Sequence, residues 1–435
     1  MFTKSRARTW WPLIALGIFV SFAAQRAAGQ TAPAAPQAAP MRVTLDQAID
    51  MALKQNHSLQ AARTMILQNQ ALEITANLRP NPTLSGDTQF LPLFTPSDFN
   101  SNYLDNNAQF DLGVGYLFER GKKRQHRLEA AKDQTAVTVA QTSDNERTLT
   151  FNVASQFIAA LLAQANIELA DTDLKSFQQT VDIAEEQAKL GAMSGGDLIK
   201  IKLQLLQFQT DVSGAKLARI QALAGLRQLL GYDSIPENYE VVGDLEYKPV
   251  KLGKDDLKAL ALRQRPDVRA AQLGITAAQS QLSLAQANGK QDVNATANYT
   301  HVGDANSVSL FGSIEIPIFN RNQGEIARTR YAVGQSQELS SEQDSLALTD
   351  VENSYESLRT NDEVLQLYQS GYLKEAEDSR DISQYAYQRG AASLLDFLDA
   401  ERSYRAIELA YRQALASYMT SLEQLRQAVG TRSLP

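Results

Sequence analysis

Length, composition and charge restrict the class of this protein before any motif is considered. The chain has 435 residues, 43% of them hydrophobic, which is enough for two or three domains with buried cores. It contains no cysteine, which excludes disulfides, thiolate metal sites and cysteine nucleophiles. The formal net charge is −7, and an acidic chain is a poor match for nucleic acid, so no nucleic-acid partner is expected.

The N-terminus is predicted to be a secretory signal peptide, residues 1–29. Three basic residues precede the apolar run 10–24, and small residues follow it. That run is short for a transmembrane helix, although an N-terminal anchor is the alternative. Cleavage would remove four positive charges and no negative ones, which changes the net charge to −11. The Pro/Ala-rich segment 30–41 is predicted to be disordered. No later stretch approaches 18 apolar residues, so no membrane-spanning helix is expected.

Two long helices are predicted from the distribution of proline, which breaks helix interiors. No proline lies between Pro96 and Pro236, or between Pro317 and the terminal Pro435. A continuous helix from about Glu119 to Ala188 would be on the order of 100 Å long. Residues 322–386 predict a second helix of similar length. Heptad spacing of apolar residues predicts coiled-coil seams, although a soluble helical bundle would show the same pattern.

Four segments alternate between apolar and polar residues, which is typical of strands with one apolar face. In "QFDLGVGYLF" (109–118), Phe110, Leu112 and Val114 fall on one face and Gln109 on the other. Strands of this kind predict a transmembrane barrel. Four strands cannot close a barrel alone, so the chain must oligomerise, as a dimer with eight strands or a trimer with twelve. A soluble α+β protein is the alternative. The predicted hairpins are 83–118 and 291–317.

The chain repeats itself at a distance of about 200 residues, because each hairpin lies between helices in the same order. "LDQAIDMALKQNHSLQAA" (45–62) resembles "KDDLKALALRQRPDVRAA" (254–271), and "KLGAMSGGDLIKIKLQL" resembles "YQRGAASLLDFLDAERS". The predicted parts are a first repeat at 42–231, a linker at 232–253, a second repeat at 254–430 and a tail at 431–435.

Several strings resemble the TolC-like outer-membrane factor family over residues 42–430. They are "VTLDQAIDMAL", "LRPNPTLSG" and "IPIFNRNQGEIA", and the last two are most similar to the CzcC-type subgroup, which serves heavy-metal efflux. The resemblance implies a mainly α-helical fold with a β-barrel part: a homotrimer with four transmembrane strands per protomer, a 12-stranded barrel and a long coiled-coil α-helical tunnel. It also implies an outer-membrane location, with the tunnel in the periplasm.

Two short motifs are similar to the turns at the periplasmic tip of that tunnel. A glycine can end a helix in the left-handed conformation, and a serine three residues later can cap the next helix. The resemblance implies that these turns dock onto a periplasmic adaptor. They are Gly191, Ser194 and Asp197 in the first repeat, and Gly390, Ser393 and Asp396 in the second.

Asp396 and Asp399 are spaced by three residues, which places them on one face of a helix. The resemblance implies that they line the constriction of the tip, and that Tyr387 and Asp197 belong to the network that closes it. Lys200 occupies the position of Asp399 in the first repeat. A solvated helix face is the alternative for the acidic pair.

No motif predicts catalysis, a cofactor or a bound metal. The three histidines are isolated, and neither a phosphate-binding loop nor an HExxH motif is present. The resemblance implies that the function is the exit duct of a tripartite efflux pump, exporting heavy-metal cations. Its partners would be a periplasmic adaptor, an inner-membrane pump of the resistance–nodulation–division class and outer-membrane lipid. A duct for drugs or for type I protein secretion, and a soluble periplasmic coiled-coil scaffold, are the alternatives.

Overall fold

The computed structural model of the chain describes residues 40–434. The predicted signal peptide 1–29 and almost all of segment 30–41 lie outside these residues. Met41 is already part of a strand. The helices are α1 (Leu45–Gln55), α2 (His57–Asn77), α3 (Ser101–Asn107), α4 (Lys123–Lys189), α5 (Gly195–Leu230), α6 (Lys254–Gln264), α7 (Pro266–Asn288), α8 (Gln323–Leu367), α9 (Leu373–Gln388) and α10 (Leu394–Val429). The strands are β1 (Met41–Val43), β2 (Thr83–Gln89), β3 (Gln109–Phe118), β4 (Tyr239–Val241), β5 (Val293–Val302) and β6 (Ala305–Ile314).

The first long helix is confirmed, because α4 runs without interruption for 67 residues. At about 1.5 Å per residue it is roughly 100 Å long. One 18-residue window of α4 has a mean hydropathy of 1.3 and is half buried inside the protein. By length and composition alone α4 could cross a membrane, but core helices of helical bundles have the same property. The expectation that no helix spans a membrane therefore stays a prediction.

The second long helix is wrong as a continuous element. A π-helical turn at Tyr368–Tyr372 separates α8 from α9. Within it Gly371 has φ = 128°, a conformation that residues with a side chain rarely adopt. The proline pattern missed this break because the interruption is produced by a glycine.

The four predicted strands form one antiparallel sheet in the order β2-β3-β5-β6. Leu112 lies opposite Tyr299, which lies opposite Val308 on the next strand. Because directly paired residues share a face, this register gathers the apolar positions of all four strands on one side. The hairpin of β2 and β3 encloses α3, whereas β5 and β6 are joined by a tight turn at Gly303.

Two buried cores lie where each repeat folds back on itself. One is formed by α1, α4, α5 and β4, and the other by α6, α8 and α10. The predicted linker contributes to both cores: β4 pairs in parallel with β1, while Leu245 packs against each core. Segment 232–253 is thus an ordered part of the body rather than only a connection.

Candidate functional site

Two helical hairpins, α4–α5 and α9–α10, end in turns of the same geometry. Gly191 and Gly390 both have φ = +72°. After each helix a backbone N–H donates back to a carbonyl five residues earlier: Ala192 to Gln187 at 2.8 Å, and Ala391 to Ala386 at 2.8 Å. This is the Schellman arrangement, which requires a left-handed residue and therefore favours glycine.

A serine caps the second helix of each hairpin. The Ser194 Oγ accepts from the Asp197 N–H at 3.1 Å, and the Ser393 Oγ accepts from the Asp396 N–H at 3.2 Å. In the second hairpin the capping box is complete, because the Asp396 carboxylate also accepts from the Ser393 backbone N–H at 3.1 Å. Both predicted tip motifs thus form helix–turn–helix connections.

The two turns differ in charge. Asp197 accepts from the Lys200 Nζ at 3.1 Å, and the hydrogen bond from Ser194, followed by Lys200, lowers the pKa of its carboxyl. Ser393 likewise holds the pKa of Asp396 below its usual value. Asp399 lies exposed one turn further along α10. The first hairpin therefore presents a neutral Asp–Lys pair, and the second presents two carboxylates.

Tyr387 lies behind the second turn, with its ring stacked on Phe397 at 5.3 Å between centroids. Burial raises the pKa of its hydroxyl, and the negative charge of Asp197 adds to this effect. Among the residues described, that buried hydroxyl has no hydrogen-bond partner. Within one chain, the charge of Asp197 thus acts on the Tyr387 hydroxyl, although no hydrogen bond joins the two residues.

A charged cluster above the turns was missed by the sequence analysis. Asp173, which its mid-helix position predicts to be a surface residue, is 5% exposed and forms an ion pair with Arg405 at 3.0 Å. The expectation is wrong because the partner lies 232 residues away in the chain. Burial raises the pKa of Asp173 in spite of the neighbouring arginine. No local pattern could have paired these residues.

The sheet carries the second functional surface, an apolar face that the protein leaves uncovered. Leu84 is 74% exposed and Leu310 is 81% exposed. The opposite face is polar and holds Ser85, Asn298 and Ser309 around Gly113. The apolar side chains on the exposed face include Leu84, Phe110, Leu112, Val114, Tyr299, Val308 and Leu310.

Between residues 40 and 434 the structure contains no group of three or more histidine, aspartate or glutamate side chains placed to hold a metal ion. Near the turns, Asp197, Lys200 and Asp396 instead form hydrogen bonds with neighbouring groups of the protein. The arrangement provides two helical hairpins with capped turns, an acidic surface at the turn of the second hairpin and a sheet with an exposed apolar face.

Comparisons with known proteins agree with this architecture. The cation efflux system protein CusC of Escherichia coli (strain K12) is 29% identical over 321 residues, which cover 68% of this chain and 66% of the relative. The cobalt-zinc-cadmium resistance protein CzcC of Cupriavidus metallidurans is 24% identical over 411 residues, 92% of this chain and 91% of the relative. This chain thus spans just under two thirds of the length of CusC but nearly all of CzcC.

Solved structures show the same fold. A crystal structure of CusC superimposes with a TM-score of 0.73 at 22% identity, and the match covers 89% of this chain and 92% of that one. The family model described as "Outer membrane efflux protein" matches residues 48–232 and 257–431, one match for each of the two repeats. The chain therefore belongs to the outer membrane efflux protein family, a family of non-enzymatic channels of the outer membrane.

Proposed function

We propose that three copies of this chain form a channel in the outer membrane that continues as a helical tunnel into the periplasm. The observation that carries this proposal is the sheet. Its apolar face is exposed, and its two edge strands, β2 and β6, each have one neighbour in the order β2-β3-β5-β6. Unpaired strand edges are not tolerated in lipid, so neighbouring copies must supply the missing partners.

Three copies would give a closed barrel of twelve strands, with the apolar face towards lipid and the polar face towards the lumen. A twelve-stranded barrel is wide enough for an aqueous lumen, whereas the interior of an eight-stranded barrel is filled by side chains. The trimer is therefore the assembly that supports transport. Each protomer would have two repeats, 42–231 and 254–430, and each repeat would contribute one hairpin to the barrel.

The proposed role of the channel is the exit duct of a tripartite efflux pump for heavy-metal cations. CusC is named for cation efflux and CzcC for cobalt-zinc-cadmium resistance, which supports this cargo. The chain would dock through the turns at Gly191 and Gly390 to a periplasmic adaptor, and through it to an inner-membrane pump of the resistance–nodulation–division class. Asp396, Asp399, Tyr387 and Asp197 would form the constriction and its closing network.

The test combines assembly with export. We expect the protein to require detergent for extraction from the outer membrane and to run as a heat-modifiable trimer. Deleting its gene should raise sensitivity to cobalt, zinc or cadmium salts, and expressing it again should restore resistance. A monodisperse monomer in the periplasmic fraction would favour the soluble scaffold. If the deletion leaves metal resistance normal and causes sensitivity to drugs, the protein is still an exit duct, but its cargo is drugs rather than metal cations.

A further inference from the structure

Arg405, in the first third of α10, contacts both helices of the other hairpin. Its Nε donates to the Asp173 carboxylate of α4 at 3.0 Å, and its Nη2 donates to the Asp211 carboxylate of α5 at 2.8 Å. Its guanidinium also lies over the ring of Phe208 at 4.4 Å. We call Arg405, Asp173, Asp211 and Phe208 the Arg405 clamp. A planar guanidinium is suited to hold two carboxylates and an aromatic ring at once.

The clamp lies close to the turn that carries the acidic pair. Arg405 follows Asp399 by six residues on α10, which is about 9 Å along a helix axis. Asp173 is buried at 5% exposure, and removing the partner of a buried charge leaves it uncompensated. Any movement of α10 away from α4 therefore has to break this contact.

Aromatic rings extend the clamp across all four helices. Phe208 of α5 stacks on Phe177 of α4 at 4.6 Å, and Phe177 stacks on Phe397 of α10 at 6.4 Å. Phe397 in turn stacks on Tyr387 of α9. This column connects the guanidinium to the tyrosine whose hydroxyl lacks a hydrogen-bond partner, and it makes the four helices one packed unit at this level.

Beyond the column the helices are packed loosely. A cavity of about 530 Å³ lies between α4, α5 and α10, and Phe208, Asp211 and Arg405 form part of its wall. Other parts of the wall are small residues, among them Ala170, Gly214 and Ala215. Beside this cavity α10 is joined to α4 by polar contacts, the Arg405–Asp173 ion pair and the Arg412 hydrogen bond to the Ala165 carbonyl.

Glu401 adds a titratable carboxyl beside the clamp. It lies one turn before Arg405, and burial, followed by the charge of Asp173, raises the pKa of its carboxyl to about 6. Ionised Glu401 repels Asp173 and competes for Arg405. The charged groups that face it are Asp173 from α4, Arg380 and Asp381 from α9, and Arg405 on α10, with Asp211 of α5 and Arg402 on the wall of the same cavity.

We propose that Arg405 is a positioning residue for the tip, because it fixes α10, with Asp396 and Asp399, onto the α4–α5 hairpin. The inference rests on the proposed channel. In a trimer, six carboxylates at one opening would repel each other and push the three α10 helices apart. The clamp opposes that repulsion, so its release widens the opening. Neutral Glu401 favours the clamped position, an effect that is complete below pH 4.5 and is lost as the pH rises through about 6.

The experiment measures the open fraction of purified channels in planar bilayers at pH 5 and pH 7.5. The wild type should open more at pH 7.5. Arg405→Gln should raise the open fraction by more than about tenfold at pH 5 and remove most of the pH dependence, since it removes two charge-assisted hydrogen bonds and one alone is worth about a factor of ten. Arg405→Lys keeps the charge but loses the planar guanidinium that can bind two carboxylates at once, so it should restore part of the clamping. Glu401→Gln should stay clamped at both pH values.

The exposed Arg359 on α8, whose ion pairs are with its own helix, provides the matched control, and Arg359→Gln should behave as the wild type. If Arg405→Gln does not assemble, Asp211→Asn removes one of the two hydrogen bonds and should give a smaller rise of the same sign. The clamp is overturned if Arg405→Gln has the conductance and pH dependence of the wild type. If only Asp211→Asn assembles, the same result in that variant overturns the clamp. If the wild type and Arg359→Gln form no pores either, the proposed channel fails instead.

Discussion

The two hairpins have the same backbone geometry at their turns but differ in charge. Gly191 and Gly390 share one φ value, and Ser194 and Ser393 cap the helices that follow. One turn later the first hairpin has Lys200 beside its aspartate, whereas the second has Asp399. Backbone geometry at a turn is specified by glycine and serine alone, so the charge of the remaining positions is free to differ between the repeats.

The helices that lead into these turns also differ. The first is the unbroken α4, and the second is divided into α8 and α9 at Gly371. The acidic hairpin is thus attached through an interrupted helix, and the neutral hairpin through a continuous one. In the proposed channel, the Arg405 clamp sets the position of the second hairpin.

Removing the acidic pair should have the largest effect, because it removes the difference in charge between the two hairpins. Asp396→Asn combined with Asp399→Asn makes the second tip as neutral as the first, so we expect the channel to lose cation selectivity and block by trivalent cations from the periplasmic side. The measurement is the reversal potential in planar bilayers under a salt gradient. Asp171→Asn on α4 is the control, because Asp173 would break the buried ion pair. Unchanged selectivity in the double variant would leave the pair as a solvated helix face.

Breaking both turns should have the next largest effect. A β-branched residue at Gly191 and Gly390 cannot adopt φ = +72° without strain of about 1–2 kcal/mol at each position. We expect Gly191→Val with Gly390→Val to lower metal export while the trimer still forms, as measured by metal sensitivity and by heat-modifiable mobility. Gly195→Ala, at a helical position with open space around it, should export normally. Normal export by the double valine variant would show that the turns do not dock.

The break at Gly371 should have the smallest effect. Its φ of +128° is strained for any residue with a side chain, so Gly371→Ala should lower thermal stability by about 1–2 kcal/mol. Gly334→Ala, inside α8 with nothing near the new methyl group, should raise stability by up to about 1 kcal/mol. Thermal unfolding of the trimer distinguishes the two. A stabilising Gly371→Ala would mean that α8 and α9 can join into one helix and that the break has no structural requirement.

Much of the fold followed from local patterns. Alternation identified the four strands, because a strand exposes alternate side chains to two environments. The absence of proline from the segment identified α4, and the Gly-x-x-Ser spacing identified both turns. Gly371 shows the limit of these patterns, because Gly324 and Gly334 in the same stretch lie within the regular helix α8. Which glycine interrupts a helix depends on the packing around it.

The sequence by itself determined the periodicity of helices and strands, the two capped turns and the acidic pair, since each of these depends on residues within a few positions of one another. Only the tertiary structure decided that Asp173 is buried and that Arg405 joins it to Asp211, because the partners lie 232 and 194 residues from Arg405. The same holds for Glu401, whose raised pKa depends on burial and on charges from α4 and α9. Burial and electrostatics act through space, and the heptad pattern that places these residues on helices does not specify which helices meet.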